Sequence, residues 1–322
     1  MRYLLTGGAG FVGSHLSRLL IQQGHTVDVL DDLSTGSQTN LHTLSPNTHL
    51  EFHQGSILDQ GVLEPLIERV DHVFHLAAAV GVFTILEKPV ESLRTNVRGS
   101  EIVADLCIKY SKPLLVTSTS EIYGKNSSDA LSEEDDRILG SPLVSRWSYS
   151  EAKAIEETMA FSIYSEYGIP ARIVRLFNTV GPGQTGDHGM VIPRFVSSAL
   201  KGLPIEVFGD GKQTRCFGHV ADVVEAIYLV SKTESTIGEA VNIGNPQEIS
   251  IRNLAEKVIE ILRSSSLIVH VPYATAYRAG FEDMQRRVPN IEKINRLTGW
   301  RPSRSLDQII LDTAQAQLDQ AL

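Results

Sequence analysis

Short apolar runs alternate with helical patterns through the first half of the chain. Four of these runs, at residues 3–5, 26–30, 73–76 and 114–117, have the length and composition of buried strands. A helical pattern over residues 11–23 separates the first two runs. Alternation of strands and helices predicts a parallel sheet covered by helices on both faces, which is a doubly wound α/β fold.

The second half of the chain has a different composition. Residues 178–213 are rich in glycine and proline, which predicts long loops of the kind that carry binding residues. Further helices are predicted over residues 219–231, 250–263 and 305–318. The chain is therefore expected to continue beyond the first sheet into a smaller lobe.

No repeat, low-complexity tract or sharp linker divides the 322 residues. A chain of this length is typical of two domains, or of one large domain with an added lobe. We therefore predict two interwoven lobes. Residues 1–177 and a return segment over 213–245 form the first, and residues 178–322 form the second.

Composition and charge narrow the possible classes of function. Hydrophobic residues make up 42% of the chain and charged residues 21%, as in ordinary globular proteins. The formal net charge of −9 argues against binding to nucleic acid, which requires a basic surface. Cys107 and Cys216 show no metal-ligand spacing, and no metal site is predicted. Because no signal peptide and no membrane span are evident, we expect a cytoplasmic protein.

A glycine-rich segment follows the first predicted strand and opens the first predicted helix. Gly7, Gly10 and Gly13 lie three residues apart in it. Glycine permits a tight turn and a close approach of the backbone to pyrophosphate, and the free amides of a helix N-terminus attract phosphate. The strand, the turn and the helix together predict a dinucleotide-binding site.

The second predicted strand ends in Asp31 and Asp32. A carboxylate at this point accepts hydrogen bonds from the adenosine ribose and repels a 2′-phosphate. No lysine or arginine occurs between Arg18 and Arg69 to offset that repulsion. The sequence therefore predicts NAD rather than NADP as the cofactor.

Tyr149 and Lys153 are four residues apart in a predicted helix, so both side chains project from one face. An ammonium group next to a phenol stabilises the phenolate and lowers the pKa of the tyrosine. A tyrosine tuned in this way can take a proton from a sugar hydroxyl, and Thr119, at a strand end, can orient that hydroxyl. The three residues predict acid–base chemistry at a hydroxyl group.

Together these residues resemble the extended short-chain dehydrogenase/reductases that act on nucleotide sugars. The resemblance also includes segments 118–124, 175–178 and 208–215, and it covers essentially the whole chain. It implies a Rossmann domain with a smaller α/β substrate lobe at the C-terminus. It also implies tightly bound NAD and transient oxidation of the sugar at C4.

The resemblance implies a role for each candidate residue. Tyr149 would be the base at C4, Lys153 would tune it and hold the nicotinamide ribose, and Thr119 would orient the hydroxyl. Ser120 and Glu121 complete the predicted catalytic set. The predicted cofactor contacts are Gly7, Gly10, Phe11, Val12, Gly13, Asp31, Asp32, Ser34, Ser56, Ile57, Leu76, Ala77, Ala78, Asn96, Ser118, Tyr149, Lys153 and Phe177. The predicted substrate contacts are Thr119, Ser120, Asn178, Val191, Arg194, Phe208, Arg215 and Arg287.

The nucleotide end of the substrate is assigned by the same resemblance. Asn178 and Arg215 would bind the diphosphate, Arg287 would be a second phosphate contact, and Phe208 would face the base. Arginine suits this task because its planar guanidinium forms paired hydrogen bonds. The expected substrate is therefore a nucleotide sugar, with UDP as the expected nucleotide.

The sequence leaves the reaction open. The triplet 119–121 resembles that of UDP-glucuronate decarboxylases and of some dehydratases, whereas residues 177–195 look most like UDP-sugar 4-epimerases. We favour a 4-epimerase of UDP-glucuronate or UDP-glucose, with UDP-glucuronate decarboxylation as the alternative. A 4,6-dehydratase and a non-catalytic NAD-binding sensor are further alternatives.

Two positions depart from the family pattern. Gly183 stands where relatives usually carry arginine, and Asp187 lies where they often have a basic residue nearby. These changes argue against a uronate substrate, unless Arg194 or Arg215 binds the carboxylate.

Relatives commonly dimerise through two helices per subunit. The resemblance therefore implies a homodimer through the predicted helix at 92–110 and the helix of Tyr149.

Overall fold

The computed structural model describes residues 1–44, 49–79, 89–186, 190–272 and 286–320. Its strands are β1 (Arg2–Thr6), β2 (Thr26–Asp31), β3 (Leu50–Gln54), β4 (His72–His75), β5 (Leu114–Thr119), β6 (Ala171–Leu176), β7 (Thr179–Val180), β8 (Ile205–Phe208), β9 (Thr214–Cys216), β10 (Gly218–His219), β11 (Ala240–Ile243), β12 (Glu248–Ser250) and β13 (Ile268–Val271). Its α-helices are α1 (Phe11–Gln22), α2 (Gln60–Arg69), α3 (Pro89–Leu93), α4 (Ser100–Lys109), α5 (Ser148–Tyr167), α6 (Val191–Leu200), α7 (Val220–Lys232), α8 (Ile251–Leu262), α9 (Glu292–Thr298) and α10 (Leu306–Gln320).

Seven parallel strands form the central sheet, in the order β11-β6-β5-β4-β1-β2-β3. At the centre, Leu5 of β1 lies opposite Val29 of β2 and Phe74 of β4. The order reverses between β1 and β4, and folds of this kind bind ligands in the crevice that opens there, at the carboxyl ends of the strands. The predicted Rossmann-like, doubly wound sheet is confirmed.

Alternate residues of the strands enter two hydrophobic layers, one on each face of the sheet. Leu5 and Val29 pack into one layer with α1 and α7. Leu4 and Leu30 pack into the other with α2, α4 and α5. Successive side chains of a strand point to opposite faces, so a sheet buried on both faces needs nearly continuous apolar runs. These two layers hold the carboxyl ends of the strands in place.

A third hydrophobic cluster joins α6, β8, α8 and α10. The prediction of loops throughout residues 178–213 is therefore wrong in part, since α6 and β8 lie within that range. Helix α6 forms there because Ile192, Phe195 and Val196 share one apolar face and are buried. The chain then returns to the central sheet as β11.

The limits proposed for the two lobes stay a prediction. Within the described ranges, no helix is both long and apolar enough to cross a bilayer.

Candidate active site

The glycine turn joins β1 to α1 at the carboxyl edge of the sheet. Gly7 has φ of +71°, and a Cβ there would lie 2.7 Å from the amide nitrogen of Ala77. A Cβ on Gly13 would clash with the carbonyl oxygen of Gly7. Only glycine fits these contacts, which bring the backbone of the turn close to the end of β4. Helix α1 begins at Phe11 without a side-chain cap, so its first amides are available to an anion.

A cavity of about 870 Å³ opens between the glycine turn and the ends of β2, β4 and β5. Most of the predicted cofactor contacts line it, together with one predicted substrate contact, Thr119. The predicted residues in its wall are Gly7, Gly10, Phe11, Val12, Gly13, Asp31, Asp32, Ser34, Ile57, Leu76, Ala77, Ala78, Ser118, Thr119, Tyr149 and Lys153. Both a turn fitted to pyrophosphate and a volume fitted to a dinucleotide are therefore present.

Three predicted cofactor contacts are not part of the wall of this cavity. Asn96, in the π-helical turn Arg94–Gly99, accepts a hydrogen bond from the amide of Ala79 over 2.7 Å and so braces the loop after β4. Phe177 is buried in a small apolar cluster with the ring of Tyr123. Ser56 accepts an amide hydrogen bond within its own turn. The cofactor contacts predicted for these three residues stay predictions.

Asp31 braces the glycine turn and also faces the cavity. One carboxylate oxygen accepts a hydrogen bond from the amide of Ala9 over 2.9 Å, and the other accepts one from Leu33 over 2.9 Å. Burial raises the pKa of Asp31, and these backbone hydrogen bonds oppose that rise. Among the described residues of the cavity wall, Lys153 is the one lysine or arginine. No described lysine or arginine therefore lines the wall beside Asp31, which fits NAD better than NADP.

Tyr149 and Lys153 both line the cavity from the first turns of α5. The Lys153 side chain is 2% exposed, and its ammonium donates hydrogen bonds to the carbonyl oxygen of Thr117 over 2.8 Å and to Glu156 over 2.7 Å. Ser150 donates a hydrogen bond to the carbonyl oxygen of Glu121 over 2.9 Å, which holds the start of α5 against the end of β5.

The expected lowering of the Tyr149 pKa by Lys153 is wrong for the protein without cofactor. Burial raises the pKa of the Tyr149 phenol, and the nearby carboxylates of Glu156 and Glu121 raise it further. The main physical reason is burial of the phenol, which disfavours its charged form. Glu156 adds to this effect because it offsets the charge of Lys153 over 2.7 Å. A positively charged nicotinamide in the cavity would act in the opposite direction.

The predicted catalytic triplet at the end of β5 meets an arginine from the C-terminal part of the chain. Arg287 lies 2.8 Å from a carboxylate oxygen of Glu121 and donates a hydrogen bond to the hydroxyl of Ser120 over 3.1 Å. The Arg287 side chain is 7% exposed and the Glu121 side chain 16%. Thr119, which precedes Ser120, accepts a hydrogen bond from the amide of Glu121 through its side chain and lines the cavity. Arg287 is thus held by Glu121 and Ser120, and its predicted contact with a substrate phosphate stays a prediction.

The remaining predicted substrate contacts lie on the second lobe or at its entry, and none of them lines the cavity. Asn178 donates a hydrogen bond to a carbonyl of β9 over 3.0 Å, and Arg215 donates one to the carbonyl of the preceding residue over 2.7 Å. The guanidinium carbon of Arg194 lies 4.1 Å from the ring centre of Phe208. Val191 begins α6. The roles of these residues in binding substrate stay predictions.

Several residues of the cavity wall were missed by the sequence analysis. Gly183, which the sequence analysis had singled out, lines the cavity, and so do Thr35, Glu91, Gln184 and Met190, to which it gave no role. They lie in loops and short helical turns that carry no recognisable motif, so no signal in a single sequence marked them. Asp187 lies outside the described residues.

Comparison with known proteins places this geometry in a family. The sequence profile described as "NAD dependent epimerase/dehydratase family" matches residues 3–244. The chain is 41% identical to the UDP-N-acetyl-alpha-D-glucosaminuronate decarboxylase of Bacillus cytotoxicus, over 98% of this chain and 97% of that protein. It is 36% identical to UDP-glucuronic acid decarboxylase 1 of Xenopus tropicalis, over 95% of this chain and 70% of that protein.

Solved structures show the same fold over the whole chain. One is the UDP-glucuronic acid 4-epimerase from Bacillus cereus, in complex with UDP-glucuronic acid and NAD. It superposes with a TM-score of 0.89 and 26% sequence identity, and the alignment covers 100% of both chains. These two relatives by sequence are thus named as decarboxylases of UDP-linked uronates, whereas this structural relative is named as an epimerase of one.

Proposed function

Because the chain belongs to the NAD dependent epimerase/dehydratase family, an enzyme family that acts on nucleotide sugars, we propose that it decarboxylates a UDP-linked uronic acid. The sequence analysis favoured a UDP-sugar 4-epimerase and kept the decarboxylase as its alternative. The identity of 41% to a decarboxylase supports the alternative better than the 4-epimerase.

The observation that carries this proposal is the contact of the buried Arg287 with Glu121 and Ser120. Ser120 and Glu121 directly follow Thr119 in the sequence. A guanidinium binds a carboxylate through two parallel charge-assisted hydrogen bonds. Arg287 does not itself line the cavity, but it reaches Ser120 and Glu121, which directly follow the cavity residue Thr119. We assign to it the role of carboxylate partner that Gly183 does not supply. The planar guanidinium group of Arg287 is already held by Glu121 and Ser120. The side chain therefore has little conformational entropy left to lose when it binds a carboxylate.

The side chains at the cavity suit proton transfer at C4 and C5 of the sugar. Thr119 orients the C4 hydroxyl, and Tyr149 takes its proton while Lys153 remains fixed beside the phenol. NAD, which the glycine turn and Asp31 would hold, would accept the hydride from C4 and give it back after carbon dioxide has left, so that no outside reductant is needed. The ketone at C4 lies β to the carboxylate carried by C5. The bond between C5 and the carboxylate carbon breaks, its electron pair passes towards the ketone oxygen, and C5 receives a proton as carbon dioxide leaves. Tyr149 then returns its proton to the C4 oxygen as the hydroxyl is restored.

Glu121 and Arg287 have distinct tasks in this scheme. Arg287 holds the carboxylate out of the plane of the sugar ring, so that the breaking bond aligns with the ketone. Glu121 orients Arg287 and is close enough to Tyr149 to raise the pKa of the phenol. An epimerase would instead need room for the 4-keto sugar to rotate, and a carboxylate fixed by Arg287 restricts that rotation.

The proposal is tested with UDP-N-acetylglucosaminuronate and UDP-glucuronate, each labelled with ¹³C at the carboxyl group. We expect release of labelled carbon dioxide from at least one, with a UDP-linked product that lacks the carboxylate in the proton NMR spectrum. The 41% relative makes the N-acetylated sugar the first candidate. Inversion at C4 with the carboxylate retained would instead establish the 4-epimerase, and no change in either sugar would contradict both.

We further propose that the enzyme is a homodimer through α4 and α5. Two large apolar side chains of α5 lie on the surface, Ile155 at 44% exposure and Phe161 at 52%. Exposed apolar patches on soluble proteins commonly mark interfaces. Light scattering should give twice the chain mass of 35.4 kDa. The double change Ile155→Lys and Phe161→Glu should halve that mass, whereas a monomeric wild-type protein would rule out the dimer.

A further inference from the structure

A buried carboxylate lies against the catalytic lysine, and the reaction proposed above does not use it. Glu156 is one turn after Lys153 on α5, and its carboxylate oxygen lies 2.7 Å from the lysine ammonium. Both side chains are 2% exposed. Burial raises the pKa of Glu156, and the contact with Lys153 opposes that rise. Burying an ion pair costs desolvation free energy that the attraction between the charges often does not recover. We therefore expect this pair to do more than stabilise the fold.

Lys153 is the cationic partner of Glu156, because the other groups around Glu156 are neutral or paired elsewhere. His75 of β4 approaches to 4.0 Å, but burial lowers the pKa of His75 to about 3, so the ring is neutral. Ser100 of α4 faces Glu156 with a neutral hydroxyl. Glu157, the next residue, points elsewhere and pairs with Arg175 over 2.8 Å. The charge of Glu156 is therefore balanced by Lys153 among the described residues.

The hydrogen bonds of Lys153 show what this pairing does. An ammonium group has three N–H donors. One donates to the carbonyl oxygen of Thr117 and one to Glu156. The third is left for the cavity, which Lys153 lines. Two fixed acceptors thus hold the ammonium group in one orientation, and its remaining donor is available to whatever the cavity holds.

We propose that Glu156 is a positioning residue for Lys153, which fixes the ammonium group and offsets its charge beside Tyr149. The inference rests on the proposed function, since it assigns Tyr149 as the base. Glu156 then keeps the phenol protonated until a positive charge enters the cavity. The direction of the electrostatic effect on Tyr149 agrees, because Glu156 raises the pKa of that phenol.

The test is the pH dependence of kcat/KM for Glu156→Gln. Glutamine can still accept the lysine hydrogen bond but carries no charge. Lys153 then stabilises the phenolate more strongly, the pKa of Tyr149 falls, and the acid limb of the profile moves to lower pH by about one unit. Glu151→Gln is the matched control, because Glu151 is on the same helix but 50% exposed and paired with Arg137. Its profile should match the wild type.

A second variant covers the case in which Glu156→Gln does not fold. Glu156→Asp keeps the charge but shortens the side chain, so we expect a lower kcat with the acid limb at the wild-type pH. An unshifted limb in a folded Glu156→Gln protein, or a wild-type kcat in Glu156→Asp, would overturn the inference. Failure of the proposed function is distinguishable, because it would show as a wild-type protein that releases no labelled carbon dioxide, whatever residue stands at position 156.

Discussion

Replacing Tyr149 with Phe should lower kcat by at least about 10³-fold, within the range that positioned proton transfer supplies. The substitution removes one oxygen atom from a half-buried side chain of the cavity wall and leaves the ring in place. Without the phenol, the C4 hydroxyl has no partner to take its proton, and oxidation at C4 stops. Release of carbon dioxide at saturating substrate is the measurement.

The same variant should still bind NAD, because the glycine turn and Asp31 are unchanged. Bound NAD, measured after denaturing the purified protein, separates a chemical defect from loss of the cofactor. Tyr167→Phe is the matched control, since Tyr167 ends the same helix and is 57% exposed. Retained turnover in Tyr149→Phe would show that another group takes the C4 proton.

The central sheet was predictable because its strands carry their information locally. Leu4 and Leu5 enter opposite layers, so a run of apolar residues marks a strand buried on both faces. Helix α6 was missed for the opposite reason. Its apolar face lies within a segment where glycine and proline dominate the composition, and only the packing against α8 and α10 shows why that face is buried.

The cofactor half of the site was likewise predictable from short motifs. Gly7 and Gly13 are required by backbone contacts within one turn, and Asp31 contacts that same turn. The substrate half depends on contacts between distant parts of the chain. Glu121 and Arg287 are far apart in sequence, and no spacing rule connects them, so the sequence analysis assigned them to opposite ends of the substrate.

Glu156 shows a different limit of motif analysis. The Tyr149 and Lys153 pair alone predicts a lowered phenol pKa, whereas burial and a third residue on the same helix reverse the direction. A tertiary environment can thus change the sign of an electrostatic effect that a motif predicts correctly in isolation.

Arg287 is the residue on which the choice of reaction depends, and its neighbour offers a matched control. Arg286 is 42% exposed and pairs with Glu248 and Asp129 on the surface. Changing Arg286 to Ala removes the same charge one residue away from the buried site. Removing one partner of a buried ion pair costs about 3–5 kcal/mol of stability. Arg287→Ala therefore leaves Glu121 as an uncompensated buried charge, so folding must be checked by thermal unfolding.

Arg287→Lys avoids most of that cost because it keeps the positive charge opposite Glu121. A single ammonium cannot reproduce the planar fork that now reaches both Glu121 and Ser120. We expect kcat/KM for decarboxylation to fall by about 10²-fold or more, since truncating a buried charge pair costs about 2–5 kcal/mol. Arg286→Ala should stay within a few-fold of wild type. A folded Arg287→Lys protein with wild-type kcat/KM would mean that the sugar carboxylate is bound elsewhere, and the assignment of Arg287 would fall with it.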